Sequence, residues 1–179
     1  MKNILIIFFN IALLSACKNS EKKDFVTLSG KIEKNKDSII RIFNREGLVK
    51  EFAINKDGSF QDTLKVKEAA IYNFTTESNR NVPIFLKNGY NISIKGEASD
   101  FFETFVFSGE GAENSNFIIA QIKQSRKLEN PKNILSLEYV DFQEKLTQIR
   151  NTYDSILNSY QNLDSTLFVN VSAQNEQLI

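Results

Sequence analysis

Val49-Lys50-Glu51-Phe52-Ala53-Ile54-Asn55-Lys56-Asp57-Gly58-Ser59-Phe60-Gln61-Asp62-Thr63-Leu64-Lys65-Val66 is the stretch whose reading decides the fold class. Apolar and polar residues alternate on both sides of Asn55-Lys56-Asp57-Gly58, and a period of two marks a strand with one buried face. Asp-Gly supplies the backbone freedom of a tight turn, so the segment reads as a hairpin, with Phe60, Thr63, Leu64 and Val66 on the return strand.

The same pattern extends outward. Val26, Leu28, Gly30 and Ile32 alternate with polar residues, as do Ile40 and Ile42. Ala70 to Thr76 and Val82 to Leu86 read as strands, and Pro83 sits near a strand start, where a sheet tolerates it best. Asn88-Gly89 reads as a second hairpin turn leading into Tyr90, Ile92 and Ile94, and Phe102 to Phe107 closes the set. Turn signals about every 8–12 residues point to an antiparallel β-sandwich, or an open barrel, over residues 25–110.

Gly109-Glu110-Gly111 marks a change of class, and residues 111–179 read as helical. Ala112 to Glu129 places Phe117, Ile118 and Ile122 on one helix face, and Asn130-Pro131 ends it. Beyond it, Leu135, Tyr139, Phe142, Leu146, Ile149, Tyr153, Ile156, Tyr160, Leu163 and Leu167 are spaced alternately four and three apart, an apolar seam that no Gly or Pro interrupts. This spacing predicts a long helix packed on the preceding helix or on the sandwich, with a coiled-coil dimer as the alternative. Aromatics at three seam positions fit irregular packing better. The fold class is therefore mainly β with α: a sandwich followed by C-terminal helices.

The N-terminus carries an address. In Met1-Lys2-Asn3 the lysine provides a positive start, and Ile4 to Leu14 is apolar apart from Asn10. A run this short falls below the roughly 20 residues that span a bilayer core, so residues 1–16 read as a signal peptide. Leu14-Ser15-Ala16-Cys17 resembles the lipobox of bacterial lipoproteins. Small residues at 15 and 16 fit a peptidase pocket, and the Cys17 thiol is the expected site of lipidation. Two or more acyl chains give stable anchoring, at about 0.8 kcal/mol per buried CH₂. Residues 17–24 are polar and read as a flexible tether. The expected location is the cell envelope, lipid-anchored to a bacterial membrane. The tether has no clean acidic run after the cysteine, which favours the periplasmic face over the outer-membrane surface.

Composition narrows the chemistry. The hydrophobic fraction of 41% can build a core, and 22 basic residues balance 22 acidic ones, so there is no electrostatic footprint for nucleic acid. There is no histidine, hence no imidazole base or metal ligand and no serine triad. The single cysteine excludes an internal disulfide and a CxxC redox pair. Asp57, Asp62, Asp100, Glu103 and Glu110 are carboxylates near turns, read as turn formers and solvated charges rather than a glycosidase pair. Asp57-x-Ser59 with Asp62 lacks the oxygen-rich pattern of a calcium loop. Gly109-x-Gly111 lacks the third glycine of a dinucleotide loop and reads as a linker. Tyr72, Phe74, Phe85 and Tyr90 are placed in the core ahead of a ligand surface. No catalytic residue, metal or cofactor is expected.

Val26-Thr27-Leu28-Ser29-Gly30-Lys31-Ile32, Asp57-Gly58-Ser59-Phe60, Val82-Pro83-Ile84-Phe85-Leu86, Asn88-Gly89-Tyr90-Asn91-Ile92 and Phe107-Ser108-Gly109 before a helix, taken in order, resemble a known pattern. They are similar to the N-terminal domain of unknown function of TlpA/AhpC-TSA-type lipoproteins. The resemblance implies that a thioredoxin-like domain with CxxC follows the helices. Here no CxxC follows, and thiol-disulfide exchange needs an attacking thiolate and a resolving partner. The family's activity therefore does not carry over. The expected function is a membrane-anchored, non-catalytic accessory or binding module of the envelope, partnered by the membrane through its lipid and by an envelope protein or a thioredoxin-like domain. The alternative is the N-terminal part of a thiol-disulfide oxidoreductase, the chain being a truncation of it.

Overall fold

The computed structural model describes residues 23–78 and 81–177. The signal segment, Cys17 and the tether up to residue 22 lie outside the described residues.

Eight strands form two four-stranded sheets. They are β1 (Val26–Glu33), β2 (Ile39–Asn44), β3 (Gly47–Ala53), β4 (Ser59–Leu64), β5 (Ala70–Thr76), β6 (Asn81–Leu86), β7 (Asn91–Glu97) and β8 (Val106–Glu110). One sheet has the order β4-β1-β7-β8 and the other β3-β2-β5-β6. Inward residues at every second position fill the space between them: Val26, Leu28 and Ile32, Ile40 and Ile42, Tyr72 and Phe74, Ile84 and Leu86, Ile92 and Ile94. A chain of rings runs through this core, Phe52 to Phe60 to Phe74 to Phe105, with centroids 5.9, 5.8 and 5.7 Å apart. Gly30 leaves room for it, since a Cβ there would lie 2.8 Å from the Phe60 ring and 2.0 Å from the Ile94 carbonyl oxygen.

The sandwich stands, with differences in connectivity. Both turns expected to close hairpins instead carry the chain from one sheet to the other: Asn55–Gly58 joins β3 to β4, and Asn88-Gly89 joins β6 to β7. The turn chemistry is as read, with Gly58 at φ +82° and Gly89 at φ +99°. A tight turn fixes a reversal of direction and leaves open which sheet the next strand joins. The β2–β3 hairpin turns instead at Asn44-Arg45-Glu46-Gly47, where the Asn44 side chain accepts from the Glu46 and Gly47 amides. One pairing is parallel: β7 enters beside the start of β1, with Thr27 opposite Asn91 and Glu33 opposite Glu97.

Phe102 to Phe107, expected as a strand, divides into a helical turn, α1 (Phe101–Thr104), and the start of β8. Phe101 and Phe105 are one helical turn apart, and both are buried as a plug over one end of the core. Gly96 makes room for Phe105, because a Cβ there would sit 2.2 Å from its ring.

Helices α2 (Ala112–Ser125), α3 (Pro131–Leu135), α4 (Tyr139–Asn158) and α5 (Ser165–Glu176) follow. The seam read as one long helix is broken twice, between α3 and α4 by residues 136–138 and between α4 and α5 by residues 159–164, with Asp164 capping α5 through the Thr166 amide at 3.0 Å. Asn158, Ser159, Asn162 and Asp164 compete for backbone hydrogen bonds, so the run breaks without Gly or Pro. The chain folds back, and Leu157, Leu167 and Val171 join Phe117, Ile118 and Phe85 in a second apolar cluster outside the sandwich.

Candidate functional site

The side chains that seat the helices on the sandwich come from one polar run, Asn114-Ser115-Asn116, in the apolar helix α2. This helix packs against the edge strand β6 of one sheet and the edge strand β8 of the other. Ser115 Oγ accepts the Phe85 amide of β6 at 3.0 Å. Asn116 imitates a neighbouring strand: its Oδ1 accepts from the Phe107 amide of β8 at 3.1 Å, and its Nδ2 donates to the Phe107 carbonyl at 2.9 Å. An exposed strand edge invites pairing with another chain, and these two residues close both edges.

Asn114 reaches the helical hairpin. Its Nδ2 donates to the Gly111 carbonyl at 3.1 Å and to the Tyr90 hydroxyl at 3.3 Å, while Oδ1 accepts the Asp164 amide at 2.7 Å. The Asp164 side chain is 3% exposed and meets Lys87 Nζ at 2.6 Å. Burial alone would push this carboxyl up; the Lys87 ammonium and the Thr166 amide outweigh it and hold Asp164 below its ordinary range. The hydrogen bond that Lys87 donates to Asp164 in turn raises the Lys87 ammonium. Gly111, at φ +86°, must be glycine twice over, because a Cβ would also lie 2.1 Å from the Tyr90 ring.

Beside this joint runs a groove of about 530 Å³ between α5 and the outer face of the β3-β2-β5-β6 sheet. Ile71, Phe85, Leu167 and Val171 form its apolar part, and Arg45, Asn170 and Gln174 line it with polar groups. Glu46 on the same rim is held by Lys67 at 2.7 Å. Tyr72 donates to the Glu68 carbonyl at 3.1 Å, and burial raises its phenol. A partly apolar concavity with a few hydrogen-bonding groups has the general make-up of a small-molecule or peptide site. Tyr72 and Phe85, two of the four aromatics placed in the core ahead of a ligand surface, lie in its wall, while the parts from α5 and the Asn44–Gly47 turn were not resolved by periodicity.

The residues singled out from the sequence are not gathered into one site. Asp57 accepts from the Ser59 amide and hydroxyl at 3.0 and 2.6 Å, an internal turn bond that lowers its carboxyl. Asp62 pairs with Lys50 at 3.2 Å. Glu103 faces Lys123 and Arg126 near one end of β8, and Glu110 ends that strand at the other. Phe74 and Tyr72 lie in the sandwich core, Phe85 lies under the helices, and Tyr90 is half-buried between them. Among the described residues, no three His, Cys, Asp or Glu are grouped to hold a metal, and no helix is long and apolar enough to cross a membrane. No model of a known protein family matches this sequence, and no curated protein matches it.

Proposed function

We propose that this chain is a lipid-anchored lipoprotein of the bacterial envelope whose sandwich and helical hairpin serve as a non-catalytic accessory or binding module. The observation that carries the reading is Leu14-Ser15-Ala16-Cys17 at the end of a short apolar run, directly before a polar segment. The entry point of the chain suits a tether. Phe25 lies at the pole where β1 begins, its carbonyl accepting the Gly89 amide at 2.9 Å. Three cations of this pole are engaged within the protein, Lys65 with Asp24 at 2.6 Å, Lys67 with Glu46 at 2.7 Å and Lys87 with Asp164 at 2.6 Å, and Lys23 lies over the Phe25 ring at 5.8 Å. With those three cations held by carboxylates the pole presents little basic patch, and on this reading the acyl chains supply most of the membrane affinity. The groove along α5 is the surface on which a binding role would fall.

Cys17→Ser tests the anchor. The variant is expected in the soluble fraction without label from radioactive palmitate, while the parent chain pellets with membranes and is labelled. A variant that still pellets and carries label refutes the assignment. The order of motifs from Val26 to Gly109 favours one second reading, the front part of a thiol-disulfide oxidoreductase. An in-frame continuation with CxxC after the codon for Ile179 selects it, and a stop codon there removes it.

A further inference from the structure

The heptad seam of the helical region is mostly consumed within the chain. Ile149 and Leu167 are buried, and Tyr160 stacks edge-on against Phe117 at 5.3 Å. Its leading end is not. Leu135 and Tyr139, the first two seam residues, are 74% and 76% exposed, and beside them Leu137 and Val140 are 40% and 74% exposed. Four large apolar residues within six positions, at the junction of α3 and α4, form a crest at the pole far from Phe25. Singly exposed apolar residues are ordinary, but a contiguous group marks a contact surface.

We infer that this crest pairs the chain with a second copy of itself across a two-fold axis. Charge identifies the occupant. Lys132 precedes the crest, and Glu138 and Asp141 are interleaved with its end. None of the three charged side chains has a hydrogen-bond or ion-pair partner within its own chain among the described residues, whereas nearby Lys145 is engaged by Glu129 at 3.2 Å. A two-fold contact presents one patch to its own copy, so the charges around its apolar centre are satisfied only if both signs are present. That is the arrangement here: Lys132 of each copy meets Glu138 and Asp141 of the other, around Leu135, Tyr139 and Val140. A partner of one dominant sign would leave either the lysine or the carboxylates opposed. This inference stands whether or not Cys17 is acylated.

The test is disulfide trapping of the full chain in intact cells. Val140→Cys, oxidised with copper phenanthroline, is expected to give a product of twice the chain's mass. The unaltered chain and a control with Val169→Cys, a residue 62% exposed on α5, are expected to give little. Lys132→Glu, or Glu138→Lys with Asp141→Lys, added to Val140→Cys should lower the yield about tenfold or more, since like charges then face each other. Co-expressing the two reversed forms should restore a mixed dimer. These substitutions are at exposed positions, and circular dichroism of each variant checks that it folds. A dimer yield at Val140→Cys no greater than at Val169→Cys overturns the inference. So does an adduct with a protein of another mass, or a yield indifferent to charge reversal.

Discussion

Asp164 does three jobs. It caps α5, holds Lys87, and passes its amide to Asn114. Asp164→Ala should lower stability by about 2 kcal/mol, the sum of a lost cap and a lost charged hydrogen bond. The pH dependence has a definite sign. The folded-state pKa of Asp164 is lowered, so its contribution is present above the ordinary 3.8 and is lost as pH falls through the lower folded value. That of Lys87 is raised, so its share is present below 10.5 and is lost as pH rises through the folded value. The urea midpoint of the parent chain should therefore exceed that of Asp164→Asn by a constant margin from about pH 5 to about pH 9, and the margin should close toward acid. A margin that grows toward acid contradicts the pairing. Two glycines separate strain from crowding. At Gly89 the nearest heavy atom to an added Cβ is 3.7 Å away, so Gly89→Val should cost the backbone term alone, about 1–2 kcal/mol. At Gly111 the Tyr90 ring also blocks the Cβ, so Gly111→Ala should lower the melting temperature more, and the reverse ranking would refute this account. Asp57-Gly58 and Asn88-Gly89 were legible as turns because the chemistry is local. Asp164 was not, because its partners lie 50 and 77 positions away.

Among the elements, α2 has the largest structural role. It caps one edge strand of each sheet, β6 and β8, with adjacent residues and offers its apolar face to the second cluster. Asn116→Leu would leave the Phe107 amide and carbonyl unpaired at a strand edge. A loss of about 1–3 kcal/mol is expected, together with concentration-dependent aggregation. Thermal unfolding combined with light scattering reads both, and an unchanged melting temperature would show that the edge needs no cap. Strand existence was legible from the period-two pattern, whose inward residues are the buried ones. Sheet membership was not, because alternation shows that a strand has a buried face and not which neighbour it joins. Phe101 to Phe107 satisfies both an alternating and a helical spacing, and the need to plug the core end decided for a helical turn. The seam from Leu135 to Leu167 had the right period for one helix, but local capping at Asp164 and burial against Phe85 favoured folding back.

At the scale of the molecule, the chain has two unlike poles. At one, β1 begins beside the Asn88-Gly89 turn, Lys87 and the start of α5, with Lys65, Lys67 and Lys87 paired to carboxylates. At the other, α2 ends against Glu103 and the crest from Leu135 to Val140 stands exposed. The sandwich and helical appendage were readable as classes from composition and periodicity, whereas the groove along α5 was not, because it exists only once α5 folds back. The proposed anchor rests on the first 17 residues alone, and it would decide whether this body works free or on a membrane. Mass spectrometry of the mature N-terminus tests it most directly. A chain beginning at Cys17 with a thioether-linked diacylglycerol is predicted; an intact Met1, or an unmodified start beyond residue 17, would contradict the account.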